Sequence, residues 1–271
     1  MPEPQLAGRV AIVTGASSGI GRVTARRLAR HGTTVVAVAR RAALLETLVD
    51  ECRTHAPASF ALAGDLGERA FAEGAVAETV TRTGRLDVLV NNAALSKHKH
   101  ILDVTPEEAE QVMRVNFMAC VWTTLAALPH MLRLGGGTIV NVSSFAAKVT
   151  PPREALYAAS KAAMNAFSEG LWHDLAGSGI HVAIVNPGPI DTEIWEKAEQ
   201  PVAYHGRKYS PDLVADAIVE AIVHRRYECT VPKLNPMLMT ARALRLLAPG
   251  LMRTGMARMD PVSPNVFARP R

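Results

Sequence analysis

Cysteine is scarce in this chain. Its three cysteines, Cys52, Cys120 and Cys229, are odd in number and far apart, and no C-x-x-C occurs. That excludes a disulfide framework and the usual zinc-ligand spacing, and it fits a reducing compartment. No run of about 18 apolar residues is present, so no membrane-spanning helix is expected. The opening MPEPQLAGRVAIVTG has no basic region ahead of an apolar stretch, so it does not read as a signal peptide. A cytoplasmic location is the expectation. Internal repeats and low-complexity linkers are absent as well. Charge of one sign is missing from most of the chain: of a net +5, the stretch after Thr230 holds +6 and everything before it −1. No nucleic-acid surface is expected in the main body, and any attraction to anions sits in the tail.

Against these absences stands an apolar share of 48% with 20% charged residues, enough for a sizeable core in one α/β domain of 271 residues. The informative stretch is VAIVTGASSGIG, Val10 to Gly21. An apolar β-branched run leads into Thr14 and three glycines, and helical apolar spacing begins at Ile20. Strand, glycine turn and helix point backbone N–H groups and a helix N-terminus at a phosphate. Gly15 allows the tight turn, Gly19 the close approach of a pyrophosphate, and Gly21 the packing of helix on strand. The spacing G-x-x-x-G-x-G is neither the G-x-G-x-x-G fingerprint nor a P-loop.

Short apolar strands then alternate with helical segments. Strands are expected at Thr33–Ala39, Ser59–Ala63, Leu86–Val90, Thr138–Val142, His181–Val185 and Glu228–Pro232. Helices are expected to Arg30, over Ala42–Thr54 and Glu68–Thr83, from Pro106 (capped by Thr105) toward Pro129, and over Ala155–Ala176 and Pro211–Arg225. This predicts a single doubly wound parallel sheet with helices on both faces over residues 1–232. Between Asp191 and Ser210 the periodicity fades, leaving a loop with a short helix around Thr192–Ala198. Residues 233–271 read as a basic, partly helical extension, an amphipathic helix interrupted at Pro249-Gly250 and followed by a flexible end from Asp260. It is expected to pack on a partner subunit or over the pocket; contact with an anionic membrane surface is the less favoured alternative.

Tyr157 and Lys161 lie four apart on a predicted helix and share one face. A phenol of ordinary pKa is a poor proton donor or acceptor at neutral pH, and a nearby ammonium is expected to lower that pKa. Ser144, thirteen residues before Tyr157, falls at the end of a strand, where such sheets place ligands. Its hydroxyl, with the phenol, would hold charge developing on a carbonyl oxygen.

In order, TGASSGIG (14–21), Asp65-Leu66, NNAA (91–94), Asn116, NVSS (141–144), YAASK (157–161) and NPGPIDT (186–192) closely resemble the short-chain dehydrogenase/reductase family, over roughly residues 6 to 232. The resemblance implies a Rossmann-type domain interconverting a carbonyl and an alcohol by hydride transfer. It implies Tyr157 as proton donor or acceptor, with Lys161 also holding the nicotinamide ribose. Ser144 would orient the substrate oxygen and Asn116 support a water linking Lys161 to solvent, with Ser143 the neighbouring alternative to Ser144. Cofactor contacts would come from Gly15, Ser17, Ser18, Gly19, Ile20 and Gly21, from Asp65 and Leu66 at the adenine, and from Asn91 and Ala93. Pro187, Gly188, Ile190 and Thr192 would meet the nicotinamide carboxamide.

Where the family carries a carboxylate that selects NAD(H), this chain has Ala39, followed by Arg40 and Arg41. Losing an acid and adding cations favours a 2′-phosphate, so NADP(H) is expected over NAD(H). Ala94 departs from the family's frequent Gly and would be costly if that position needs a positive φ. The substrate side should draw on Leu95, Ser96, Phe145, Pro151, Arg153, Glu154, Pro189 and Trp195. Lys97-His98-Lys99-His100 reads as a solvated loop, and no metal is expected. A homodimer or homotetramer is implied, with the helices around Asn116 and Tyr157 at the interface. The rival reading is an NADP(H)-binding regulator or scaffold without turnover, which has no need of Ser144, Tyr157 and Lys161.

Overall fold

Strand β1 (Val10–Thr14) is buried at every position, as is β4 (Val88–Asn91), and β2 (Thr34–Ala39) is buried after its first residue. Such runs show no polar alternation because helices cover both faces of the sheet. The computed structural model describes residues 6–193, 195, 204 and 206–259. Within them, β1, β2 and β4 join β3 (Phe60–Ala63), β5 (Gly137–Val142), β6 (Ile180–Pro187) and β7 (Glu228–Val231) in one seven-stranded sheet. Every pairing is parallel, in the order β3-β2-β1-β4-β5-β6-β7. The order reverses between β1 and β4, so their carboxyl ends leave a crevice.

The period-two alternation of β1 divides the core. Ala11 and Val13 pack with helices α1 (Gly19–Arg30), α2 (Ala42–Arg53) and α7 (Pro211–Val223) on one face. Val10 and Ile12 pack with α3 (Arg69–Thr83) and α5 (Ala119–Arg133) on the other. Strand β4 starts later than the apolar run suggests because Asp87 has other partners. Its carboxylate accepts the Val10 N–H at 2.9 Å and pairs with Arg85.

The helix expected from Pro106 is not uniform. Its start, α4 (Pro106–Met113), carries the Thr105 cap: Thr105 Oγ1 accepts the Glu108 N–H, and Glu108 returns a bond to the Thr105 N–H. A π-helical turn, Arg114–Met118, then separates α4 from α5 and contains Asn116. Together, Pro106–Arg133 is long and apolar enough by composition to cross a bilayer, a run hidden by its scattered polar residues. Here Ala119, Cys120, Thr123, Thr124, Ala127 and Met131 form one buried face of the helix against the domain, while Leu125 and Leu132 are exposed.

Helix α6 (Ala155–Asp174) presents Tyr157 and Lys161 as expected. The C-terminal extension forms two helices, α8 (Pro236–Leu247) and α9 (Pro249–Met259), with the break at the predicted place. The short helix expected around Thr192–Ala198 and the flexible end from Asp260 lie largely or wholly outside the described residues.

Candidate active site

The crevice at the β1–β4 reversal opens into a cavity of about 1210 Å³ that runs from the glycine turn past Tyr157 to α8 and α9. The turn is built by steric necessity at two positions. Gly15 has φ +66°, and a Cβ there would stand 2.8 Å from Ala93 Cα. A Cβ on Gly21 would stand 2.4 Å from the Gly15 carbonyl oxygen, so only glycine lets α1 approach this closely. Ser18 precedes α1 without a side-chain cap bond, leaving the first N–H groups of the helix facing the cleft.

Thr14 ties this turn to the neighbouring strand end. Its hydroxyl donates to the Val90 carbonyl and accepts the N–H groups of Asn92 and Ala93 at 2.8 and 3.0 Å. Asn92 Nδ2 donates back to the Thr14 carbonyl at 2.9 Å. Asn92, whose neighbours the sequence motif singled out, is thus the residue that fixes the floor of the cleft.

Of the residues expected at a cofactor, Gly15, Ser17, Ser18, Gly19, Ile20, Arg40, Arg41, Asp65, Leu66, Ala93, Pro187, Gly188, Ile190 and Thr192 line this one cavity. Two do not. Gly21 acts through packing, as its predicted role requires. Asn91 is turned away: its Nδ2 donates to Asn141 Oδ1 at 2.9 Å, and its Oδ1 accepts from Thr123 Oγ1 at 2.8 Å. Asn141 continues to Ser168 on α6 at 2.8 Å, so Asn91 belongs to a buried polar network that joins β4 and β5 to α5 and α6. The expected contact of Asn91 with a ribose is therefore corrected. Ala94 is not among the non-glycine residues with positive φ and carries no strain.

The two arginines after β2 have different surroundings. Arg41 braces the turn, donating to Ser17 Oγ at 3.1 Å and Ser18 Oγ at 2.6 Å, and pairs with Glu193 at 3.0 Å. Arg40 lines the cleft and has no ion pair among the described residues. Asp65 Oδ1 accepts the Gly67 N–H at 2.8 Å, which closes the turn after β3.

Around the reacting end, Ser144, Tyr157 and Lys161 all face the cavity. Ser144 caps a one-turn helix (Phe145–Ala147), its Oγ accepting the Ala146 N–H at 3.1 Å, and its hydroxyl favours the ionised form of the Tyr157 phenol. Ser143, the alternative, is committed elsewhere: its hydroxyl donates to the Lys161 carbonyl at 3.1 Å. Lys161 is 1% exposed, and its Nζ donates to the Val142 carbonyl at 2.8 Å. Burial lowers the Lys161 pKa to about 8. Tyr157 is pushed up to about 12, chiefly by burial, against the lowering by Ser144. The expected lowering of the Tyr157 pKa by Lys161 is not met here: Lys161 Nζ is turned to the Val142 carbonyl, and desolvation dominates the phenol.

Asn116 does not line the cavity. It accepts the Leu95 N–H at 2.7 Å through Oδ1 and donates through Nδ2 to the Leu95 carbonyl and Ser160 Oγ, both at 3.0 Å. On the substrate side Leu95, Ser96, Phe145, Pro151, Glu154, Pro189 and Trp195 line the wall, and Arg153 does not. The Lys97–His100 segment is not the solvated loop expected from sequence. Lys97 and Lys99 both pair with Glu108, and His98 is buried 3.6 Å from Glu154. Among the described residues no group of three His, Cys, Asp or Glu could hold a metal ion. Of the two places expected for the C-terminal extension, a partner subunit or the pocket, the structure shows the second: inner residues of α8 and α9 close the far end of the cavity.

An open parallel sheet with a glycine turn at its switch point, and a hydroxyl, a phenol and a lysine converging beside it, defines a nucleotide-type α/β oxidoreductase architecture. The family model described as short chain dehydrogenase matches residues 9–203. The chain is 34% identical over 261 residues to dehydrogenase/reductase SDR family member 7B of Bos taurus, spanning 89% of this chain and 78% of that protein. It is also 34% identical over 240 residues to a short chain dehydrogenase of Pseudocercospora fijiensis, spanning 82% and 77%. Among solved structures, a short chain dehydrogenase/reductase from Burkholderia phymatum in complex with NAD superposes with a TM-score of 0.82 at 25% identity, over 96% of this chain and 99% of that one. A 3-ketoacyl-(acyl-carrier-protein) reductase from Brucella melitensis complexed with NADH gives 0.77 at 30% identity, over 83% and 97%. This chain belongs to the short-chain dehydrogenase/reductase family.

Proposed function

We propose that the protein is an NADP(H)-dependent oxidoreductase that interconverts a ketone or aldehyde with an alcohol. The observation that carries this reading is the convergence in one cavity of the glycine turn with Ser144, Tyr157 and Lys161. A nicotinamide bound in the cleft supplies or accepts the hydride. In reduction, the Tyr157 phenol gives its proton to the carbonyl oxygen, and the Ser144 hydroxyl holds the same oxygen as charge develops on it. Oxidation reverses the proton's path. Lys161, anchored to Val142, places a cation beside the two reacting groups and offers hydrogen bonds to a ribose.

The geometry of the turn fits a dinucleotide. Glycine at position 19 leaves the mouth open, since a Cβ there would meet only the Thr192 side chain, at 3.2 Å. Support for NADP(H) over NAD(H) comes from the end of β2. Ala39 puts no carboxylate where a ribose 2′-OH would lie, and Arg40 faces the cleft as a cation for a 2′-phosphate. The related structures that hold NADH or NAD leave this preference for experiment. A cytoplasmic homodimer or homotetramer accords with apolar side chains exposed on α5 and α6, namely Leu125, Leu132 and Trp172. Light scattering of the purified protein would test the assembly.

The deciding experiment is nicotinamide turnover by purified protein across a panel of carbonyls and alcohols, with NADPH and NADH in parallel and Tyr157→Phe as the blank. Turnover with NADPH that drops by about a thousandfold or more in the Phe variant is the expected result. Turnover that survives in Tyr157→Phe would remove the assigned proton donor. Tight NADPH binding with no turnover of any carbonyl would favour a binding protein.

A further inference from the structure

The end of the cavity away from the glycine turn is made by a part of the chain outside the segment that the family model matches. Leu238, Ala241, Leu244, Met252 and Met256 of α8 and α9 line it. Leu238 also joins Phe145 and Val149 in a small apolar cluster separate from the two main cores, with Ala241, Met252 and Met256 packed against it. Phe145 directly follows Ser144, so this wall is fastened to the reacting end of the site.

Two further contacts fix the position of α8. Asn235 caps it, accepting the Leu238 N–H at 3.1 Å, and donates to the Tyr209 hydroxyl at 2.9 Å. Leu238 lies over Gly188, where a Cβ would stand 3.1 Å from its Cδ1. The arginines of these helices, Arg242, Arg245, Arg253 and Arg258, are not among the lining residues; Thr240 is the polar side chain that α8 and α9 add to the wall. The charged side chains of the cavity lie instead beside the glycine turn or, as with Glu154 and Lys161, toward Tyr157.

We infer that the substrate is a carbonyl or alcohol with a bulky, uncharged apolar group, seated against α8 and α9 while its oxygen meets Ser144 and Tyr157. This deepens the carbonyl–alcohol reading above and rests on it. An apolar wall rewards each buried methylene by roughly fourfold in affinity, whereas a charged tail there would lose its hydration without finding a partner.

The test uses the full chain with NADPH and straight-chain methyl ketones from butanone to dodecanone, following both turnover and calorimetric binding. In the native protein, affinity and kcat/KM are expected to climb about fourfold per methylene until the wall is filled. Ala241→Trp, at a half-buried position, narrows the far end. It should remove this gain for the long ketones, so that the ratio of kcat/KM for dodecanone to that for butanone collapses toward one. Met252→Asp, which puts a carboxylate in the same wall without adding bulk, should weaken the longest ketones most. Circular dichroism of each variant checks that the fold is retained. Affinity that climbs with length while no ketone is reduced would leave the apolar seat standing and overturn the oxidoreductase reading. Affinity indifferent to length in the native protein, or equal losses for short and long ketones in both variants, would overturn the inference.

Discussion

Asn116 grips the backbone of Leu95 by both ends, accepting its N–H at 2.7 Å and donating to its carbonyl at 3.0 Å. Leu95 lines the cavity, so the asparagine sets that wall from outside it. The π-helical turn widens the helix where Asn116 sits, between α4 and α5. Asn116→Ala would leave the N–H and carbonyl of Leu95 without their partner, while the Ser160 hydroxyl keeps its bond to the Tyr157 carbonyl. Each buried orphan costs about 1–3 kcal/mol, so a loss of roughly 2–4 kcal/mol is expected. The melting temperature should fall by roughly 5–15 °C, with kcat/KM down about tenfold or more. Asn116→Asp keeps the acceptor for the Leu95 N–H but loses both donated bonds, and it should fall between the two. Thermal unfolding and kinetics of both variants check this; an unchanged Asn116→Ala protein would refute it.

That grip shows where sequence reading stops. Strands such as β1 and β2 were legible because burial on both faces leaves continuous apolar runs. The glycine turn was legible because Gly15 and Gly21 answer local steric demands that no other residue meets. Asn91 and Asn116 were not, since both carry the same amide and only the fold decides its partners. Strand pairing put Asn91 beside Asn141, and the packing of α5 on the sheet supplied Thr123, so its amide is spent there rather than in the cleft. The lowering of the Tyr157 pKa failed as an expectation for a related reason. Helical spacing puts Lys161 on the same face as Tyr157, but it does not reveal how deeply both are buried. The amphipathic pattern of the extension was legible but left two docking places open, because α8 and α9 form a satellite of the core whose seat on Phe145 and Val149 depends on tertiary contacts.

Cofactor choice is testable at a single side chain. Arg41 holds Ser17 and Ser18, so its loss should loosen the turn for either dinucleotide. Arg40 lines the cleft without bracing it. Arg40→Ala is therefore expected to raise the KM for NADPH by about 10- to 100-fold, the worth of a charge-assisted bond to phosphate, and to change the KM for NADH by less than about threefold. Parallel titrations would decide. Equal effects on the two cofactors would mean that Arg40 meets a part they share.

All three cysteines are free and buried. Burial pushes the Cys120 thiol up to about 12 and the Cys52 thiol up to about 11, and it raises Cys229 in the same direction. Thiolate is the reactive form, so native protein should react only slowly with a disulfide reagent at neutral pH. Three thiols per chain should appear rapidly once denaturant is added. A fast thiol in the native protein would contradict the burial of at least one of them.

The buried pair at the site makes alkaline stability a probe of both groups. Lys161 titrates near 8 in the fold against an ordinary value of 10.5. Between those values the unfolded chain binds more protons than the folded one, so this group makes stability rise with pH through that window. Tyr157 is shifted the other way, from 10 to about 12. Its contribution is fully present below pH 10 and is lost as pH climbs toward the folded value. The cysteines also act in the alkaline range, which is why the readout is each variant's difference from the native protein. In urea unfolding, the native protein should gain on Lys161→Met between about pH 8 and 10, by up to roughly 3 kcal/mol. Against Tyr157→Phe it should lose ground above about pH 10, since the Phe variant lacks the titrating phenol. A Lys161→Met difference that stays flat from pH 8 to 10 would mean that the lysine keeps its ordinary pKa, and the desolvation argument at this site would fall with it.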